Sequence, residues 1–222
     1  MIDQQEDTIG ETTFRTIRSE IIHGVLLPGD RLTLDKLRQR YAVSVGTLRE
    51  VLTRLASESF VVAEGQRGFE VAPATLAELR ELGELRLLLE SHALGLSLQR
   101  GDLEWEGRVV AAHHKLAAIE KRLLAGESYR TPEWIQYDRS FHEALISACG
   151  SRSLMGLHTT VFDRFLRYHM LAGSFRGQPV ADDHLALLRA ALSRDGAGAI
   201  GLLEAHVNRG IEHITGTGAI RR

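Results

Sequence analysis

Cysteine is nearly missing from this chain: Cys149 stands alone. That excludes an internal disulfide and every metal site that needs several thiolates, such as zinc fingers and iron–sulfur clusters, and it fits a reducing compartment. Long apolar runs are missing too, since no stretch approaches the roughly 18 residues needed to cross a bilayer. The opening MIDQQEDTIG is acidic where a secretory leader would be basic and then apolar, so a cytoplasmic protein with no membrane partner is expected. Neither sign of charge prevails: 27 Lys and Arg against 29 Asp and Glu, with ten His, leave a net charge of −2. Any surface for a polyanion must therefore be local. What is present, 44% hydrophobic and 25% charged residues over 222 positions, describes a folded chain of one small and one larger domain.

The four prolines, Pro28, Pro73, Pro132 and Pro179, fall where helical patterns begin or end. Before Pro73 short helices give way to β-prone residues; after it, Leu, Ala, Glu and Arg recur at helical spacing. The expected domains are 1–72 and 73–222. In the first, Thr13 to Gly24 is an amphipathic helix with Phe14, Ile17, Ile21 and Ile22 on one side. Leu34 to Tyr41 forms a second helix, and Ser44 caps a third that runs to about Ser59. Phe60 to Ala63 and Phe69 to Val71 flank a glycine-containing turn and read as a hairpin. Three helices plus a hairpin make a winged helix-turn-helix. The second part divides at Gly101, Gly126, Gly150, Gly177 and Gly196 into about six helices, whose short connections predict an antiparallel bundle. The fold class expected is mainly α.

A helix-turn-helix sets the first residues of its third helix against base edges. Here those are Ser44, Val45, Gly46, Thr47 and Arg49. From Arg31 to Arg67 seven basic residues (Arg31, Lys36, Arg38, Arg40, Arg49, Arg54, Arg67) face four acidic ones (Asp35, Glu50, Glu58, Glu64). The excess is small, but a dimer doubles it. Arg67, between Gly65 and Gly68, suits a wing that approaches the minor groove. On pattern alone a protein-binding module with solvated arginines competes with this reading.

The segment IRSEIIHGVLLPGDRLTLDKLRQRYAVSVGTLREVLTRLASESFVVAEGQRGFEVA resembles the N-terminal domain of the GntR family of bacterial transcription regulators. The elements run in order: a helix ending in glycine, PGDRL, a YAVS turn, TLREVL and an RGFEV wing. The remaining, helical part of the chain resembles the all-helical ligand-binding (FCD-type) domain of the FadR subfamily, so the likeness spans about residues 12–215. SVGTLREVL, GQRGFEVA and GDLEWE are most similar to the branch containing CsiR. The resemblance implies Ser44, Thr47 and Arg49 as recognition-helix contacts and Arg67 and Gly68 as wing contacts. Val45 departs from the arginine, and Ser59 from the glycine, that most members carry there.

Asp138 and His142 lie four apart in DRSFHEAL and project from one helix face. His184, in DDHLALLRAAL, and His206, in LLEAHVNRGI, sit beside apolar stripes of later helices. Inward imidazoles need partners, and either individual hydrogen bonds or one shared divalent cation would serve. The resemblance favours the cation, because many FadR-subfamily members use a D-x-x-x-H helix and two later histidines as metal ligands. Three imidazoles and a carboxylate suit zinc or nickel, with manganese or iron possible. Arg86 corresponds to an arginine that in relatives points into the effector pocket; on spacing alone it is a surface salt bridge to Glu90.

The resemblance implies a homodimer that binds a pseudo-palindromic operator and answers to a small carboxylic acid, such as glutarate. Repression is expected over activation, since occupying a promoter requires no contact with polymerase. A metal-dependent hydrolase with an accessory winged helix is the alternative. It lacks an evident general base, because Glu143 points about 100° away from His142 around the helix, and no catalytic residues are assigned. His113 and His114 are expected on a partly exposed helix, Trp105 and Trp134 as packing anchors, Tyr41 in the small domain's core, and Arg164 and Arg167 on a solvated face.

Overall fold

A computed structural model of the chain describes residues 8–63, 65, 68–127, 131–173 and 175–220. It divides into two compact units, Met1–Ala74 and Thr75–Arg222.

The first unit contains helices α1 (Ile9–Ile22), α2 (Leu34–Tyr41) and α3 (Val45–Ser57) and strands β1 (Arg31–Leu32), β2 (Val61–Ala63) and β3 (Phe69–Val71). Helix α1 starts four residues earlier than its apolar spacing indicates, because the Thr8 side chain accepts from Glu11 N at 3.2 Å and caps it. Ser44 caps α3 in the same way, accepting from Thr47 N at 3.1 Å. Ile17, Ile21, Leu48, Leu52, Leu55 and Phe60 close the core, each contributing about 1.5–3 kcal/mol by leaving water. Tyr41 is only half-buried, packed on that core with its hydroxyl donating to Glu20 Oε2 at 2.5 Å.

The hairpin is one strand larger than expected. β1 joins β3 with Arg31 opposite Glu70, giving an antiparallel sheet of order β1-β3-β2. A two-residue strand carries no periodicity and is created by its partner alone. Between α3 and β2, Ser59 sits at φ 61°, where a Cβ is unfavourable. Ser59→Gly should therefore raise stability to urea by about 0.5–1 kcal/mol. A destabilised variant would show that the hydroxymethyl group contributes more than its backbone conformation costs.

The second unit is built from α4 (Leu76–Arg100), α5 (Leu103–Leu124), α6 (Thr131–Ile146), α7 (Arg152–Ala172), α8 (Gln178–Leu192) and α9 (Gly196–Thr217). Thr75, Asp102, Ser151 and Asp195 cap α4, α5, α7 and α9 with their side chains. Helix α4 packs on α7 and α9, α5 on α6 and α8, and α8 on α9. Gly83 permits the close approach of α4 and α9, since a Cβ there would fall 2.5 Å from Ile211 Cδ1. Trp105 and Trp134 are buried, and the Trp105 indole donates to Ala144 O at 3.0 Å. Among the described residues no helix is long and apolar enough to cross a membrane.

Of two expectations about this unit, the solvated face for Arg164 and Arg167 fails, while the partly exposed helix for His113 and His114 holds. His113 is buried, its ring edge-on to Phe141, while His114 beside it is exposed. Arg167 is buried rather than solvated. Arg164 is half-buried and donates to Glu78 Oε1 at 2.6 Å. Such placements depend on which neighbours cover a helix face, and a single helix's spacing does not carry that information.

Candidate metal centre and nucleic-acid interface

In the first unit, Ser44 and Arg49 are exposed and Thr47 half-buried at the start of α3. The Ser44 hydroxyl is committed to the cap and also lies 2.9 Å from Thr47 Oγ1. An open groove of about 560 Å³ brings Arg31, Arg49, Gly65 and Gly68 together. Gly68 adopts φ 97°, a conformation that glycine alone takes at little cost. Arg31, the arginine of PGDRL and not among the expected contacts, shares this groove because β1 carries it alongside β3. Arg67 lies outside the described residues.

In the second unit, Asp138 and His142 from α6, His184 from α8 and His206 from α9 converge. Each offers one ligand atom, and these atoms lie within 4.8 Å of one another. All four residues are buried. The rings stand close, with centroids 5.8 Å apart for His142 and His184, 5.1 Å for His142 and His206, and 4.9 Å for His184 and His206. Asp138 Oδ1 lies 3.1 Å from His184 Nε2 and 4.0 Å from His142 Nε2. Despite that proximity, His184 Nε2 is buried without a hydrogen-bond partner among the described residues. A buried lone pair or N–H with no partner is costly. Four convergent donors of this composition match what a divalent cation requires.

The outward nitrogens have partners that spacing did not reveal. His142 Nδ1 makes a very short contact with Glu90 Oε1, and His184 Nδ1 lies 2.7 Å from Glu120 Oε1. Glu90 in turn accepts from Arg86 Nε at 2.7 Å, and Glu120 from the Trp134 indole at 3.3 Å. Both carboxylates come from helices that carry none of the four convergent residues, so only tertiary structure brings them in. The one available hint was the Arg86–Glu90 spacing of four.

Charge shapes the site. Burial disfavours ionised Asp138 and Glu90, yet both carboxyls are held well below the usual range: Asp138 by its contact with His184 and the other imidazoles around it, Glu90 by Arg86 and His142. For His184 burial opposes protonation, but Asp138 and Glu120 together push it up to about 9. His142 is pushed down by burial despite Glu90. Burial and the positive field of His184, His142, Arg86 and Arg176 push His206 well below the ordinary histidine value.

Arg86 forms its expected contact with Glu90, but buried, with side chains 3% and 1% exposed, rather than at the surface. Its Nη2 lies 3.1 Å from His142 Nδ1, and its guanidinium carbon stands 4.3 Å over the Phe162 ring. The salt bridge and a position beside the histidine cluster thus occur together.

Residues 9–71 match the bacterial regulatory proteins of the gntR family, and residues 81–209 match the FCD domain. The HTH-type transcriptional regulator BphR of Paraburkholderia xenovorans is 37% identical over 213 residues, covering 95% of this chain and 87% of its own. The HTH-type transcriptional repressor GlaR of Escherichia coli is 31% identical over 200 residues, covering 87% and 90%. The solved structure of E. coli McbR/YncC superimposes with a TM-score of 0.78 at 20% identity, covering 95% of this chain and 99% of that one. The matches are to transcription regulators and not to enzymes, which sets the hydrolase alternative aside. A winged helix-turn-helix followed by an FCD helical domain, with relatives of this identity along nearly its whole length, makes the chain a member of the GntR family, a DNA-binding transcription regulator.

Proposed function

We propose that the chain is a ligand-responsive repressor acting in the cytoplasm, which senses a small carboxylic acid at a divalent metal ion held by Asp138, His142, His184 and His206. The observation that carries this reading is the convergence of four buried donor residues from three helices within 4.8 Å. Three imidazoles and one carboxylate favour zinc or nickel, with manganese or iron also compatible. The ion would supply a Lewis-acidic anchor for a carboxylate, and Arg86, beside His142, would supply a second positive group.

A homodimer would place two recognition helices on half-sites about one turn of DNA apart. Ser44, Thr47 and Arg49 would meet the major groove, with Arg67 and Gly68 at the wing. Effector binding would shift the population between operator-competent and incompetent arrangements. Gel shifts with DNA from upstream of the chain's own coding sequence, with and without short dicarboxylates, test this. Retarded fragments released by a dicarboxylate are expected; unchanged mobility with every upstream fragment would remove the reading. Arg49→Ala should weaken operator binding and reduce the slope of log affinity against log salt by about one, while leaving metal content unaltered. A variant with lower metal content and intact DNA affinity would overturn the division of roles between the units.

A further inference from the structure

The described arginines and lysine of the first unit fall into two sets. Arg15, Arg18, Arg40 and Arg54 each meet a glutamate at 2.6–3.1 Å, and the Arg54 guanidinium carbon also stands 3.6 Å over the Phe14 ring. Arg31, Lys36, Arg38 and Arg49 are exposed and form no ion pair with the described residues. Two of these four share one groove, between the start of α3 and the hairpin residues Ala63, Gly68 and Phe69. Arg49 reaches it from α3, and Arg31 from β1, which pairing with β3 holds in place. Glu70 is the residue opposite Arg31 in that pairing, yet it does not line the groove. The one carboxylate that does, among the described residues, is Asp35 in the first turn of α2, exposed and likewise without an ion pair.

With α3 in the major groove and the hairpin at the neighbouring minor groove, the sugar–phosphate strand that separates the two has to run between them. We propose that this strand lies in the groove shared by Arg31 and Arg49, that Arg31 binds one of its phosphates, and that Asp35 weakens the grip by facing the same anion. A guanidinium offers a fork of donors that fits phosphate oxygens. Contacts to phosphate fix register and carry no sequence information, so Arg31 acts on operator and unrelated DNA alike. Asp35 has a local use that explains an acid in such a place: a negative side chain in a helix's first turn is stabilised by the helix dipole. The carboxylate thus supports α2 at the expense of DNA affinity. This rests on the proposed placement of α3 and deepens it, adding a contact from a strand too short to be read in the sequence.

Fluorescence anisotropy over a salt series tests it, with one duplex from upstream of the chain's own coding sequence and scrambled duplexes of the same length. Arg31→Ala should bind every duplex about 8-fold more weakly at about 0.1 M salt, and the slope of log affinity against log salt should fall by about one per bound protomer. Arg31→Lys keeps the charge and should keep the slope, which separates a lost contact from a lost strand. Asp35→Asn should tighten every duplex about threefold, the repulsion expected of two unit charges roughly 7 Å apart in water. An Arg31→Ala variant that loses affinity for the upstream duplex alone, with its slope unchanged, overturns the inference, because Arg31 would then read bases. Asp35→Asn binding no tighter than wild type also overturns it. If Arg49→Ala weakens binding while Arg31→Ala does not, the recognition helix stands and the groove assignment falls. If neither variant changes affinity for any duplex, the placement of α3 falls too.

Discussion

Stripping the ion from the wild-type chain should lower its melting temperature by about 5–10 °C, while His184→Ala, stripped or not, should melt at one temperature. An ion at a hundred times its dissociation constant stabilises the folded state by about 2.7 kcal/mol. For a chain of this length each kcal/mol moves the midpoint by about 2–4 °C. His184 is the donor to remove, because it stands between two carboxylates, Asp138 at 3.1 Å from its Nε2 and Glu120 at 2.7 Å from its Nδ1. Elemental analysis completes the test: wild type should carry a stoichiometric ion and the variant only traces. Equal content in both would take His184 out of the centre. Asp138→Ala then serves as the second probe, because it removes the one carboxylate among the four donors.

The second large effect concerns Arg86. Arg86→Met should cost about 3–5 kcal/mol in urea unfolding, since it leaves a buried carboxylate without its guanidinium partner. The two side chains are almost wholly enclosed and bonded at 2.7 Å, so solvent offers Glu90 little relief. Adding Glu90→Gln to the Arg86 variant should restore a good part of the loss, because the stranded charge goes with it. A single variant within 1 kcal/mol of wild type would mean that His142 and His158, which approach the same carboxylate, satisfy it unaided. Because Arg86 is also proposed to meet the effector, the double variant, if folded, should keep its operator and lose its response.

Sequence patterning revealed what is local. Ser44 as a helix cap, the glycine breaks between the bundle helices and the shared face of Asp138 and His142 all depend on separations of a few residues, and the structure has them where the spacing puts them. Strand β1 was invisible, for two residues have no period. The roles of Glu90 and Glu120 were equally hidden, because their partners lie 52 and 64 positions away. Arg86 shows the limit most sharply. Its i,i+4 pairing with Glu90 was legible, yet whether that pair met water or protein depended on α4 being covered by both α7 and α9. A helix enclosed on two sides loses the one-faced stripe from which exposure is ordinarily read.

The enclosure of the four donors also sets a clock. His142 and His184 are wholly shielded, and Asp138 and His206 are 5% exposed, so neither a chelator nor a carboxylate effector would reach an ion held there until α6, α8 and α9 part. Release would then wait on an opening of the bundle, and its rate would level off as chelator is added instead of rising with it. The plateau would measure how often these helices part, making metal exchange a stopwatch for the breathing of the domain.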